Sequence, residues 1–170
     1  MYVNIHSHTD INPNVPCIRN LTFSEANIIF ASGIKGLYSV GFHPWYADTF
    51  SDELLNTMTE WLKDDRFVAV GECGLDKNSK VSIEEQLMVF DQQIKLSEKI
   101  HKPLIIHCVG CFNELFELKK DSIPFRNGLF MVSGASLNSP DRQYGLVADY
   151  PSVNISMKKA FASLPSIKYL

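Results

Sequence analysis

Apolar residues along this chain follow two alternating spacings. Short, nearly continuous runs occur at Val3-Asn4-Ile5, Leu37-Tyr38-Ser39-Val40, Val68-Ala69-Val70 and Leu104-Ile105-Ile106, and they read as strands buried on both faces. Between them the period changes to that of a helix. Leu54, Leu55, Met58, Trp61 and Leu62 line one face of a predicted helix over 52–63, with Ser51 or Asp52 as its cap. Leu87, Phe90, Ile94 and Leu96 do the same over 82–100, where Ser82 and Glu85 have the spacing of a capping box. A further helix is predicted over 112–120. The signals are weaker at 17–21, read as a short strand, and at 24–31, read as no more than a helical turn. Asn-Pro-Asn and Pro16 mark 10–16 as a loop. Strands alternating with helices predict a parallel α/β sheet or barrel.

The ends of these strands carry the chemistry. Val68-Ala69-Val70 runs into Gly71-Glu72, which reads as a buried strand ending at a carboxylate. An uncompensated buried carboxylate costs several kcal/mol or raises its own pKa, so Glu72 needs partners. Two other strands end in histidine. Val3 to His8 closes on His6-Ser7-His8, whose alternation puts both imidazoles on one side, and Pro103 to Ile106 leads into His107. His-x-His, Glu and His delivered to one rim form a metal site of the kind built at the C-terminal ends of barrel strands. The plainer alternative is a set of strand-end histidines making ordinary hydrogen bonds.

Other residues admit two readings. His43, in Gly-Phe-His-Pro-Trp, either supports a metal ligand from behind or contacts substrate, or else is a hydrogen-bonded turn residue, with Pro44 and Trp45 as a rigid turn over a pocket. Asp76 either orients a metal-bound group or bonds a backbone amide. Cys108-Val109-Gly110-Cys111 is a single pair, weak evidence for zinc, and reads as packing thiols. Lys119-Lys120 reads as a solvated helix end.

Bulk properties narrow the class. With 170 residues, 45% of them hydrophobic and 21% charged, the chain fits one globular domain over 1–170. It is short for an eight-stranded α/β barrel of about 250 residues, so an incomplete barrel is expected. A net charge of −3 excludes a global basic footprint for nucleic acid. The absence of a long apolar run predicts no membrane span, and an N-terminus that runs straight into a strand is not a signal peptide. Four cysteines without an export signal predict free thiols in the cytoplasm. Nothing points to an obligate protein partner.

Taken in order, His6-Ser7-His8, Gly41-Phe42-His43-Pro44-Trp45, Gly71-Glu72-Cys73-Gly74-Leu75-Asp76, the helix with Gln86, Phe90 and Gln93, and Lys102-Pro103-Leu104-Ile105-Ile106-His107-Cys108 resemble the successive motifs of the TatD family. The resemblance covers about residues 2–120. It implies a metal-dependent hydrolase of the amidohydrolase-like superfamily with a TIM-barrel (β/α) fold, acting on DNA or another phosphodiester substrate. It also implies two divalent ions, Zn²⁺, Mg²⁺ or Mn²⁺: His6 and His8 would hold one, Glu72 would bridge as the catalytic carboxylate, and His107 would hold the other.

The resemblance has gaps. Asn4 stands where the family has Asp. The family's histidine on the next strand and its late-strand Asp have no counterpart after His107. Residues 126–170 lack the strand–helix rhythm, although 128–132 could be a strand. The codons that can encode 127–135 allow, in another frame, Trp-Ile-Ile-His-Gly-Phe-Arg-Gly. The same frame at 150–158 allows Ser-Ile-Gly-Glu-Tyr-Phe-Asn-Glu. The expectation is therefore a chain in frame to about residue 125, with a truncated or frameshifted tail that packs poorly. The competing reading is a catalytically impaired barrel fragment that keeps part of the metal site. Another amidohydrolase-like phosphoesterase or amidase fits the Gly-Glu-Cys-Gly-Leu-Asp string less well.

Overall fold

The computed structural model describes residues 4–8, 17–111, 113–115, 117–118, 130–133 and 143–146. The described chain forms one sheet of seven strands in sequence order: β1 (Asn4–Ser7), β2 (Cys17–Leu21), β3 (Leu37–Val40), β4 (Phe67–Asp76), β5 (Leu104–Val109), β6 (Phe130–Ser133) and β7 (Gln143–Leu146). Strands β1 to β6 are parallel, and β7 runs antiparallel to β6. Consecutive parallel neighbours joined by helices are the build of a (β/α) barrel wall, as expected. The strand predicted within 128–132 is β6. The regular, antiparallel β7 was not expected in the tail. The expectation that the tail packs poorly otherwise falls outside the described residues, as do Lys119 and Lys120.

The helices are α1 (Phe23–Ser32), α2 (Asp52–Trp61) and α3 (Ile83–Ile100), and residues 113–115 and 117–118 are helical too. No described helix is long and apolar enough to cross a membrane. Ser51 and Ser82 cap α2 and α3 by accepting from the backbone N–H of Leu54 and Glu85. At 24–31 the structure corrects the reading of a single turn, because α1 is a helix of ten residues. A reciprocal capping box starts it: Thr22 Oγ1 accepts from Glu25 N, and Glu25 Oε2 accepts from Thr22 N at 2.9 Å. Arg66 holds its far end, with Nη1 donating to Ile29 O at 2.8 Å and to Ile34 O at 3.0 Å, and Nη2 donating to Phe30 O at 3.2 Å. Helix ends leave carbonyls without intrahelical donors, and here one guanidinium supplies several.

Two apolar clusters flank the sheet. The larger joins Val40, Met58, Trp61, Phe67, Phe90, Ile94 and Ile106 between the sheet and its helices. The smaller joins Ile18, Val68, Ala69 and Ile105. Ile18 lies two residues before Asn20 on β2, and Ile105 two before His107 on β5, so strand alternation puts each pair on one face. The small cluster is thus an apolar floor beneath the polar strand ends.

Candidate metal centre

Strand β4 is buried over all ten residues, Phe67 to Asp76. It does not end at Glu72, as the apolar run suggested. Cys73 and Leu75 are fully buried, so burial continues past the carboxylate. Gly71 and Gly74 make this possible. Both have positive φ, and a Cβ at either would strike the carbonyl oxygen of Ile105 or of His107 on β5. Likewise β5 runs two residues beyond His107, to Val109.

The sheet curves strongly enough to bring distant strands together. Two strands separate β1 from β4, which on a flat sheet is about 14 Å at ~4.8 Å per strand. Yet His6 Nε2 lies 3.3 Å from Glu72 Oε2, and His8 Nε2 lies 3.6 Å from the same oxygen. The two imidazole nitrogens are 3.1 Å apart. They converge as the alternation predicted, although His6 is 5% exposed and His8 65%.

The other oxygen of Glu72 serves the opposite side. Oε1 lies 3.0 Å from His107 Nδ1, which is 3.3 Å from His43 Nε2. The carboxylate thus stands between two groups that could each hold a metal ion, His6–His8–Glu72 and His43–Glu72–His107. Histidine and carboxylate ligands bound at about 2.0–2.1 Å with tetrahedral angles lie about 3.3–3.4 Å from one another. The observed separations of 3.0–3.6 Å bracket that value, and the donor set of imidazoles and one carboxylate suits a divalent ion. These residues fit.

Asp76 braces the second group. Its Oδ2 lies 2.9 Å from His107 Nε2 and accepts the indole N–H of Trp45 at 2.6 Å, and its Oδ1 accepts from Asn78 N at 2.8 Å. A carboxylate on the far nitrogen of an imidazole fixes its tautomer and ring orientation. Burial works to raise the Asp76 pKa, but the bonds from Asn78, His107 and Trp45 prevail and hold it below the usual carboxylate range. Burial also works to lower that of His107, and the hydrogen bonds to Glu72 and Asp76 outweigh it, leaving His107 above the ordinary imidazole value. His43 goes the other way. Burial, and then the neighbouring His107, push it down to about 4, so near neutral pH its ring is uncharged; because Nδ1 accepts from Trp45 N, the one ring proton sits on Nε2, facing His107 Nδ1.

The six predicted site residues therefore lie in one cluster. His43 lies beside the second group, with Nε2 3.3 Å from His107 Nδ1 and with Nδ1 accepting from Trp45 N at 3.2 Å. Asn20 was missed. Its Nδ2 donates to Gly71 O at 2.6 Å and to Ser39 Oγ at 3.1 Å, steadying the peptide before Glu72. An amide inside the strand Cys-Ile-Arg-Asn-Leu was the available signal. Cys108 and Cys111 are buried free thiols, and burial pushes Cys108 up to about 11, which keeps it protonated and fits the packing role.

A parallel sheet with its helices, and a carboxylate shared between histidine groups from three other strands, are the marks of the barrel-type metal-dependent hydrolases. The family model described as TatD related DNase matches residues 17–131, and the chain belongs to that family. It is 35% identical over 86 residues to the human 3'-5' RNA nuclease TATDN2, a match spanning 49% of this chain and 11% of that protein. To the 3'-5' ssDNA/RNA exonuclease TatD of Pantoea sp. (strain At-9b) it is 37% identical over 71 residues, 41% of this chain and 27% of that one. The chain thus spans about a quarter or less of the length of these curated relatives. In three dimensions it is similar to the crystal structure of YJJV, a TatD homolog from Escherichia coli K12, with a TM-score of 0.59, 25% identity, and coverage of 70% of this chain and 55% of that one.

Proposed function

We propose that this chain hydrolyses phosphodiester bonds in single-stranded DNA or RNA at a centre of two divalent metal ions. One observation carries the reading: Glu72 turns one oxygen to His6 and His8 and the other to His107. When bound, such ions supply positive charge for a phosphoryl oxygen and lower the pKa of water. His6 and His8 would hold one ion and His107 the other, with Glu72 common to both and the His43 Nε2–H beside the second ion. Zn²⁺ or Mn²⁺ suits this imidazole-rich set better than Mg²⁺. The chain's own residues prepare the site. Asp76 fixes the His107 ring, burial keeps His43 neutral, and the apolar floor keeps water from beneath the ligands. The relatives' activities on RNA and on single-stranded DNA support the substrate class. Four free cysteines fit action in the reducing cytoplasm.

The test is release of nucleotides from a labelled single-stranded oligonucleotide by metal-stripped protein supplied with Zn²⁺, Mn²⁺ or Mg²⁺. Turnover that disappears in Glu72→Gln is the expected result. Metal binding without turnover in any of the three would instead establish a metal-binding barrel that does not catalyse.

A further inference from the structure

Two large aromatic rings stand exposed beside this centre. Trp45 is 54% exposed and Tyr46 61%. They begin the 3-10 helix Pro44–Thr49 that follows His43. Trp45 is nonetheless tethered. Its indole N–H donates to Asp76 Oδ2 at 2.6 Å, its backbone N–H donates to His43 Nδ1, and its ring meets the His43 ring edge-on at 5.4 Å between centroids. Tyr46 is held by its backbone N–H on His43 O at 2.9 Å. An aromatic ring pinned at one edge and open on its face is already ordered, so a ligand that stacks on it loses little freedom.

We infer that Trp45, with Tyr46 beside it, is a stacking platform for a nucleobase of the single-stranded substrate. The inference rests on the proposed nuclease reading and adds the group that positions the strand. Contacts run from Trp45 to Asp76, from Asp76 to His107 and from His107 to Glu72, so a base on the indole sits beside the groups that would hold the metal and the phosphate. Charge points the same way. At a net charge of −3 the protein has no overall field to collect phosphates, and stacking is the sequence-tolerant alternative. A base inside a duplex is stacked on its own neighbours and is not free to use the platform, which gives preference for single strands.

Fluorescence makes the platform directly visible. The protein has two tryptophans, and Trp61 is buried at 5% exposure, so quenching by added nucleic acid reports on Trp45. A phosphorothioate oligothymidylate that resists hydrolysis should quench the emission of the full chain, and the same oligomer with abasic sugars should not. In turnover, Trp45→Leu should raise KM for single-stranded oligothymidylate by about 5- to 150-fold, the range that base–aromatic stacking covers. It should also bring the preference for base-bearing over abasic substrate down towards one. Trp45→Phe loses the Asp76 hydrogen bond as Trp45→Leu does but keeps a ring, and should restore most of the preference. Equal KM and equal base preference in the wild type, Trp45→Leu and Trp45→Phe, with no quenching, would overturn the platform while leaving the nuclease reading in place. Base-dependent quenching without cleavage would sustain the platform and sink the nuclease reading.

Discussion

Gln93 on α3 gives Phe42 the two hydrogen bonds that a neighbouring strand would give it: Gln93 Oε1 accepts from Phe42 N at 2.7 Å, and Gln93 Nε2 donates to Phe42 O at 3.1 Å. Seven residues earlier on the same helix, Gln86 treats Asp76 in the same way, accepting from Asp76 N at 2.8 Å and donating to Asp76 O at 3.2 Å. Both glutamines are buried. One helix therefore clamps the backbone next to His43 and the backbone of the residue that braces His107.

Replacing Gln93 by Leu keeps the volume but leaves the Phe42 N–H and C=O buried without those partners. Each orphaned group costs about 1–3 kcal/mol, so Gln93→Leu should destabilise the protein by about 3 kcal/mol in chemical denaturation. Activity should fall further than the loss of folded protein explains, because His43 is no longer held. A change under about 0.5 kcal/mol, the scale of an ordinary surface substitution, would show that the clamp contributes nothing.

Glu72→Gln should remove metal-dependent stabilisation. Ligand present at about 100 times its Kd stabilises the folded state by ~2.7 kcal/mol. Thermal melts of the wild type should therefore rise with added Zn²⁺ and return to the starting value with chelator, while those of Glu72→Gln should stay flat. An equal rise in the variant would place the ion elsewhere.

Asp76→Asn should preserve the fold and slow the chemistry. Asn can still accept one bond, but it cannot fix the His107 ring as a carboxylate does. Loss of such a brace costs about 10- to 100-fold in activity or metal affinity. Unchanged kcat/KM at saturating metal would show that His107 keeps its place unaided.

Asp64 should make a measurable contribution to acid lability. The hydrogen bonds from Arg66 chiefly hold its carboxyl below the ordinary value of 3.8, against the opposing effect of burial. A depressed folded-state pKa gives stability that is fully present above about 3.8 and lost as pH falls through that value towards the folded one. Denaturation midpoints followed from pH 6 to pH 2 should decline less steeply in Asp64→Asn than in the wild type. Parallel curves would remove Asp64 from the account.

Much of this was legible in the chain because burial is periodic. The apolar runs located β3, β4 and β5, and the two amphipathic patterns located α2 and α3. His6, His8, Glu72 and His107 could be assigned to one rim because each follows an apolar run. What was missed has physical reasons. The residues of α1 include Ile28, Ile29 and Phe30 in succession, of which Ile29 is buried and Ile28 and Phe30 are exposed, so the helix has no clean apolar stripe and depends on its capping box and on Arg66. The end of β4 was read too early because glycines and a carboxylate interrupt the apolar run, although their surroundings are as dry as those of Val70. The place of His43 in the cluster was not legible because it lies past the end of its strand, and the curvature of the sheet brings it to His107.

Since β1 to β6 pair in the order in which they occur in the sequence, the centre is also ordered in time. Synthesis delivers His6 and His8 first, then His43 and Glu72, and His107 only 35 residues after Glu72. At ~5–20 residues per second on the ribosome, that gap lasts a few seconds. For that interval the chain carries every donor residue of the candidate centre except His107, and β5 supplies the last one.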